Sequence, residues 1–158
     1  MRKYLILSMT GIIIFMFVCS ATAFISTGMT TTLKLEHMKG MLLINGDRIR
    51  SIFYLEHNDP ASVFLKIIYD GNLQGKKIKG TKATAVWQSM KKNKSFSERF
   101  LWVSHLKGTL GIPFQSIQSF FYTAAVDTTP ARLRIIYDAD TKVVEGSEAE
   151  TIWKSLQQ

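Results

Sequence analysis

The chain has 158 residues, 46% of them hydrophobic and 20% charged, which is the range of an ordinary globular protein and not of a disordered or multi-spanning one. A formal net charge of +8 favours acidic or anionic partners, and a single cysteine, Cys19, excludes an intrachain disulfide framework and a paired-thiolate metal site.

The front of the chain reads as a targeting segment. Arg2 and Lys3 are a positive n-region, Leu5 to Cys19 is almost wholly apolar, and Ala21-Thr-Ala23 has the small-residue spacing of a signal-peptidase site. Residues 1–23 are therefore expected to be a signal peptide cleaved after Ala23. The alternatives are an uncleaved N-terminal membrane anchor and, third, a lipoprotein cysteine at Cys19. Each reading places the rest of the chain outside the cytoplasm, periplasmic or secreted. A small exported domain without disulfides suits a bacterial-type envelope.

Beyond this segment the chain repeats itself. Leu33–Asp70 and Leu101–Asp138 are identical at 16 of 38 positions without a gap, and Leu65-Lys-Ile-Ile-Tyr-Asp70 answers to Leu133-Arg-Ile-Ile-Tyr-Asp138. After a loop two residues shorter, Gly80–Met90 answers to Gly146–Leu156. The expected organisation is a first module over 31–92, a polar linker over 93–100 and a second module over 101–158.

In each module, Leu33–His37 and Leu101–His105 alternate as half-buried strands, and Lys-Gly then turns the chain into a second strand carrying Leu42 and Ile44, or Leu110 and Ile112. Asn45-Gly46 alone suggests a type I′ hairpin turn. Its counterpart Pro113-Phe114 rules out an I′ turn shared by both copies, because proline cannot reach positive φ, so a short helical or 3₁₀ turn leading into Ile49 and Ile117 is expected in both. Strands follow at Ile49–Leu55 and Ile117–Thr123, at the Leu-(Lys/Arg)-Ile-Ile-Tyr-Asp stretches, and briefly around Lys77–Lys79 and Lys142–Val144. Ala83, Val86, Trp87 and Met90, like Ala149, Ile152, Trp153 and Leu156, form an apolar helical stripe. Thr81 and Ser147 are expected N-caps, with Ser147 to Glu150 a capping box, and each Trp is expected to be largely buried, flat on its sheet. The fold class is thus α+β, a tandem repeat of two small β-β-β-β-(β)-α modules, each an antiparallel sheet with one C-terminal packing helix.

Ile112-Pro-Phe-Gln-Ser-Ile-Gln-Ser-Phe-Phe121, Leu133–Tyr137 and Gly146–Leu156 follow one another in the order that closes a bacterial pleckstrin-homology-like domain. Each repeat resembles the later half of that family, which implies final strands capped by one Trp-bearing helix.

The residues offer no reactive constellation. His37 and His105 each precede Lys-Gly, but neither has a second ligand at short spacing, and a structural role beside a turn is the better reading. Ser51 and Ser119 sit within strands, Asp70 and Asp138 at turns, and there is no nucleophile elbow or phosphate loop. No catalytic residue, metal or cofactor is expected. Charge is the distinctive feature: residues 33–100 hold 13 Lys and Arg against 6 Asp and Glu, whereas 101–158 hold 5 against 6. The excess gathers at Lys76, Lys77, Lys79 and Lys82 and at Lys91, Lys92 and Lys94, the candidate contacts for an anion or a protein. The reading is an exported, non-enzymatic binding protein of the envelope whose partner is a protein or an anionic component, a phospholipid head group or a polymer, and not nucleic acid. The alternatives are an inhibitor or immunity-type protein, or a small enzyme with a site near His37 and His105 at the module interface.

Overall fold

The computed structural model describes residues 24–27, 30–37, 40–138 and 140–158. The expected signal segment, 1–23, lies outside them, and no described helix is long and apolar enough to cross a membrane.

Alternation and turn chemistry produce a β-rich α+β fold of three antiparallel sheets. Strands β1 (Phe24–Thr27), β2 (Thr30–His37) and β3 (Gly40–Asn45) form the first, in that order. A 3₁₀ turn, Gly46–Arg48, leads into β4 (Ile49–Leu55). Asn45 caps the turn by accepting from the Asp47 N–H at 2.9 Å, so Asn45-Gly46 makes no I′ hairpin. Strands β5 (Phe64–Tyr69) and β6 (Asn72–Lys79) follow, then α1 (Gly80–Lys92) and a short helix α2 (Lys94–Ser97). The second repeat gives β7 (Phe100–His105), β8 (Gly108–Pro113), a matching 3₁₀ turn at Phe114–Ser116, then β9 (Ile117–Thr123), β10 (Arg132–Tyr137), β11 (Asp140–Glu145) and α3 (Gly146–Leu156).

The sheets do not follow the repeat boundaries. β9, β10 and β11 form a sheet of their own in the order β11-β10-β9, but the five-stranded sheet runs β6-β5-β4-β8-β7 and joins the repeats. The expectation of one sheet per module gives way here: β4 takes the second repeat's β8 as its neighbour, in the register Ile52↔Gly111, Phe53↔Leu110, Tyr54↔Thr109 and Leu55↔Gly108. Gly108 makes the approach possible. A Cβ there would lie 2.0 Å from the Tyr54 carbonyl oxygen, closer than any side chain tolerates.

Two clusters of buried side chains result. Leu33, Leu35 and Ile44 gather with Ile52, Leu65 and Ile67, and with Ala83 and Met90 of α1, in one. Val103, Leu110 and Ile112 gather with Leu133 and Ile135, and with Ala149 and Ile152 of α3, in the other. The clusters trade side chains across the shared sheet. Phe53 of the first repeat packs into the second cluster, and Phe100 and Trp102 of the second repeat pack into the first. The stretch read as a polar linker joins the first core too, since Phe96 in α2 is fully buried.

Both long helices leave their strands through a glycine at positive φ, 68° at Gly80 and 67° at Gly146, a conformation most side chains avoid. The helices consequently begin one residue earlier than the expected caps. Lys79 and Glu145 occupy the N-cap positions with no side-chain cap hydrogen bond, so the Thr81 cap and the Ser147–Glu150 box are corrected. Glu148, not Glu150, makes a notable acidic contact at this end, its carboxylate accepting from the Ser104 N–H at 2.7 Å and tying α3 to β7. Trp87 and Trp153 lie parallel to Tyr54 and Tyr122, both at an interplanar angle of 6°, but each is half-buried, not enclosed.

Candidate functional site

The seven lysines singled out by composition fall into two groups at opposite ends of α1. Lys82 and Lys92 are ten residues apart in it, about 15 Å at roughly 1.5 Å per residue. Lys76, Lys77 and Lys79 lie on β6, an outer strand of the five-stranded sheet. Lys77 stands opposite Lys66, and Lys79 opposite Phe64. Cross-strand partners share a face, so Lys66, Lys77 and Lys79 form one basic patch around the Phe64 ring, and Lys77 Nζ sits 4.0 Å above that ring's centroid. Lys76, one residue out of phase, is opposite the fully buried Ile67 and belongs to the other face.

The second repeat does not keep this patch. Its register places Arg134 opposite Val143 and Arg132 opposite Glu145, with Arg132 Nε 3.5 Å from the Glu145 carboxylate. The basic face belongs to the first repeat alone.

At the other end, Lys91 and Lys92 occupy the last turn of α1, where cations complement the helix dipole. Lys91 Nζ lies 4.4 Å from the Trp102 ring centroid and 5.6 Å from that of Trp87, and partial burial lowers its pKa from the ordinary lysine value. Lys91 thus cements the contact between repeats: Trp87 meets Trp102 edge-on at 5.1 Å, and Trp102 Nε1 donates to the Ser97 carbonyl at 2.9 Å.

His105 is placed structurally. Its ring meets Phe53 edge-on at 5.3 Å, and Nδ1 lies 3.3 Å from Lys142 Nζ. Burial first, then the Lys142 charge, lowers its pKa, and because an ammonium can only donate, Nδ1 is the acceptor in this contact. The side chain of His37 lies outside the described residues. Among the described residues no group of three or more His, Cys, Asp or Glu is arranged to hold a metal ion.

Sequence reasoning missed a polar cleft of about 330 Å3 where the two 3₁₀ turns meet, lined by Asp47, Arg48, Arg50, Asp70, Gln115 and Asp138 among others. Gln115 Nε2 donates to the Asp47 carbonyl at 2.7 Å, a contact between repeat-equivalent positions. Arg50 Nε donates to Asp70 Oδ1 at 2.6 Å and Arg48 Nη1 to Oδ2 at 3.5 Å. The Arg50 hydrogen bond holds the Asp70 carboxyl below the usual carboxylate range and raises the guanidinium in turn. Arg99 pairs with Asp47 beside it. With its arginines committed to these carboxylates, the cleft is a polar joint between the repeats. The signal for it was in the repeat itself, because Asp70 and Asp138 are equivalent residues at equivalent turns.

No family model matches the chain, and neither a curated protein nor a solved structure does so.

Proposed function

We propose that this is an exported, non-enzymatic binding protein of the cell envelope that contacts an anionic component through the first repeat. The observation that carries the proposal is the sheet face bearing Lys66, Lys77 and Lys79. Like charges placed opposite one another destabilise a sheet, and Lys66 opposite Lys77 is such a pair. The Lys77 contact with the Phe64 ring offsets part of that cost but needs no second lysine at position 66, whereas a phospholipid head group or an anionic polymer would draw the two ammonium groups together. Lysines also guard an outer strand against stray pairing, but that needs charge on β6 alone and not a second lysine on β5. Three antiparallel strands ending in a Trp-bearing helix, in each repeat, support the likeness to the later half of pleckstrin-homology-like domains, which stays part of the proposal.

The test is co-sedimentation of the purified protein with phosphatidylglycerol vesicles, phosphatidylcholine vesicles and a soluble polyanion, at low and at high salt. Exposed contacts are screened over a Debye length of about 8 Å near physiological ionic strength. Binding to an anionic probe should fall as salt rises and should be lost in a Lys66→Gln, Lys77→Gln, Lys79→Gln variant that keeps the fold. Equal binding to both vesicle types without binding to the polyanion, binding to none of the three probes, or an unchanged triple variant would refute the proposal. Preference for the polymer over the anionic vesicle would identify the source of the anionic groups.

A further inference from the structure

We infer that β3 and β9 are complementary docking edges, and that the partner each is built for is the other strand on a second copy of this chain. The repeat supplies the template. β8 lies along β4 within the chain, and β3 and β9 are their counterparts sixty-eight residues before and after. Yet among the described residues β3 pairs only with β2, and β9 only with β10. Carried over by the repeat, the register becomes Phe120↔Leu43, Phe121↔Leu42, Tyr122↔Met41 and Thr123↔Gly40.

The exposure pattern follows this map. Phe53, beside β8, is half-buried against His105, whereas its equivalent Phe121 is 63% exposed. Ile52 and Tyr54 are buried, whereas Phe120 and Tyr122 are only half-buried. On β3, Met41 and Leu43 are 53% and 58% exposed. Three of the large apolar side chains the fold leaves in water thus lie on the two unpaired edges. Neither edge strand contains a charged residue, in contrast to β6 and β11. Uncharged, apolar edges of this kind promote strand pairing.

Shape agrees as well. In the intrachain joint Trp102 covers Gly111, where a Cβ would be 2.4 Å from the indole, and reaches Trp87. On β3 the same cross-strand pair is Lys34 with Leu43. One large side chain over none is replaced by two of middle size, and Leu43 is directed to where Trp153 stands beside Tyr122. Gly108, required by the close approach to β4, has its counterpart in Gly40, a glycine at the matching place on an edge that has no partner among the described residues.

A second copy is favoured over closure within one molecule. Two strands tethered to the same chain face a high effective concentration and would pair without help if the repeats allowed it. In the folded chain they stay in separate sheets.

The experiment is sedimentation velocity of the full mature protein over a wide range of concentration, with Phe121→Lys and Leu43→Lys as separate variants. Both residues are exposed, so the variants should fold as the parent does. The expected result is assembly that grows with concentration and is lost in each variant. A mixture of Leu42→Cys and Phe121→Cys single variants should then form a disulfide between chains under mild oxidation. A monomer at every concentration, assembly indifferent to both lysine variants, or a crosslink obtained only inside the doubly substituted chain would overturn the inference.

Discussion

Replacing Gly108 by Ala asks whether the repeats are joined as closely as the shared sheet requires. The added Cβ would lie 2.0 Å from the Tyr54 carbonyl oxygen, 2.9 Å from its carbon and 3.0 Å from Leu55 Cα, where ordinary contact begins at 3.4 Å. All three atoms are backbone, so no side chain can swing aside, and β8 must retreat from β4 by more than an ångström. Overpacking of this kind costs about 1–3 kcal/mol, and each ladder hydrogen bond lost to the retreat adds about 1 kcal/mol net. A destabilisation of roughly 2–5 kcal/mol is expected. Urea unfolding followed by tryptophan emission is a suitable assay, because Trp87 and Trp102 meet across the affected joint. Gly146→Ala is the control: its φ of 67° strains an alanine, but nothing lies within 4 Å, so it should cost only about 1–2 kcal/mol. A Gly108→Ala protein as stable as the parent, or more stable than Gly146→Ala, would refute the close β4–β8 contact.

Phe96→Ala should destabilise by about 3–5 kcal/mol in the same assay, since the ring is fully buried with Phe100 at a centroid distance of 5.0 Å; a loss below about 1 kcal/mol would return residues 93–100 to the status of a spacer. His105 gives a pH dependence of definite sign. Its folded pKa is lowered by burial and Lys142, with Asp140 opposing, so the unfolded chain binds the proton more readily. The stabilisation this group provides is complete above its unfolded pKa of about 6.5 and is lost as pH falls from there through the folded value. His105→Gln should flatten the stability profile between about pH 7.5 and 5; an unchanged slope would assign it to other groups.

The local elements were legible because their causes are local. Period-2 alternation gave most of the strands, the i, i+3, i+4, i+7 stripes gave α1 and α3, and comparing Asn45-Gly46 with Pro113-Phe114 gave a short helical or 3₁₀ turn at both places, which the fold resolves as 3₁₀. What escaped was non-local or was masked by polar composition. The pairing of β4 with β8 leaves one mark, Gly108, and a glycine after Lys107 reads as a turn residue and names no partner strand. Phe96 was hidden among six polar neighbours, and only its lone aromatic ring hinted that α2 is anchored. β6 is longer than the brief strand expected because Gly75, at φ 77°, sits inside it and not in a turn. The lysines were found as a cluster along the chain, but the patch they build includes Lys66, which only register could add.

The strand that joins the repeats also sets an order of events in folding. Ile52 finds Gly111, and Leu55 finds Gly108, across more than fifty intervening residues. Contacts so distant in sequence form slowly, because the loop between them must be closed before any pairing rewards it. As the chain emerges from a ribosome, β4 can pair with β5 but its other edge stays open, and Trp87 lacks the Trp102 contact, until β7 and β8 arrive. A nascent chain stalled inside the second repeat would be left with a bare apolar edge and an unfinished core, which is the state that chaperones hold and proteases cut.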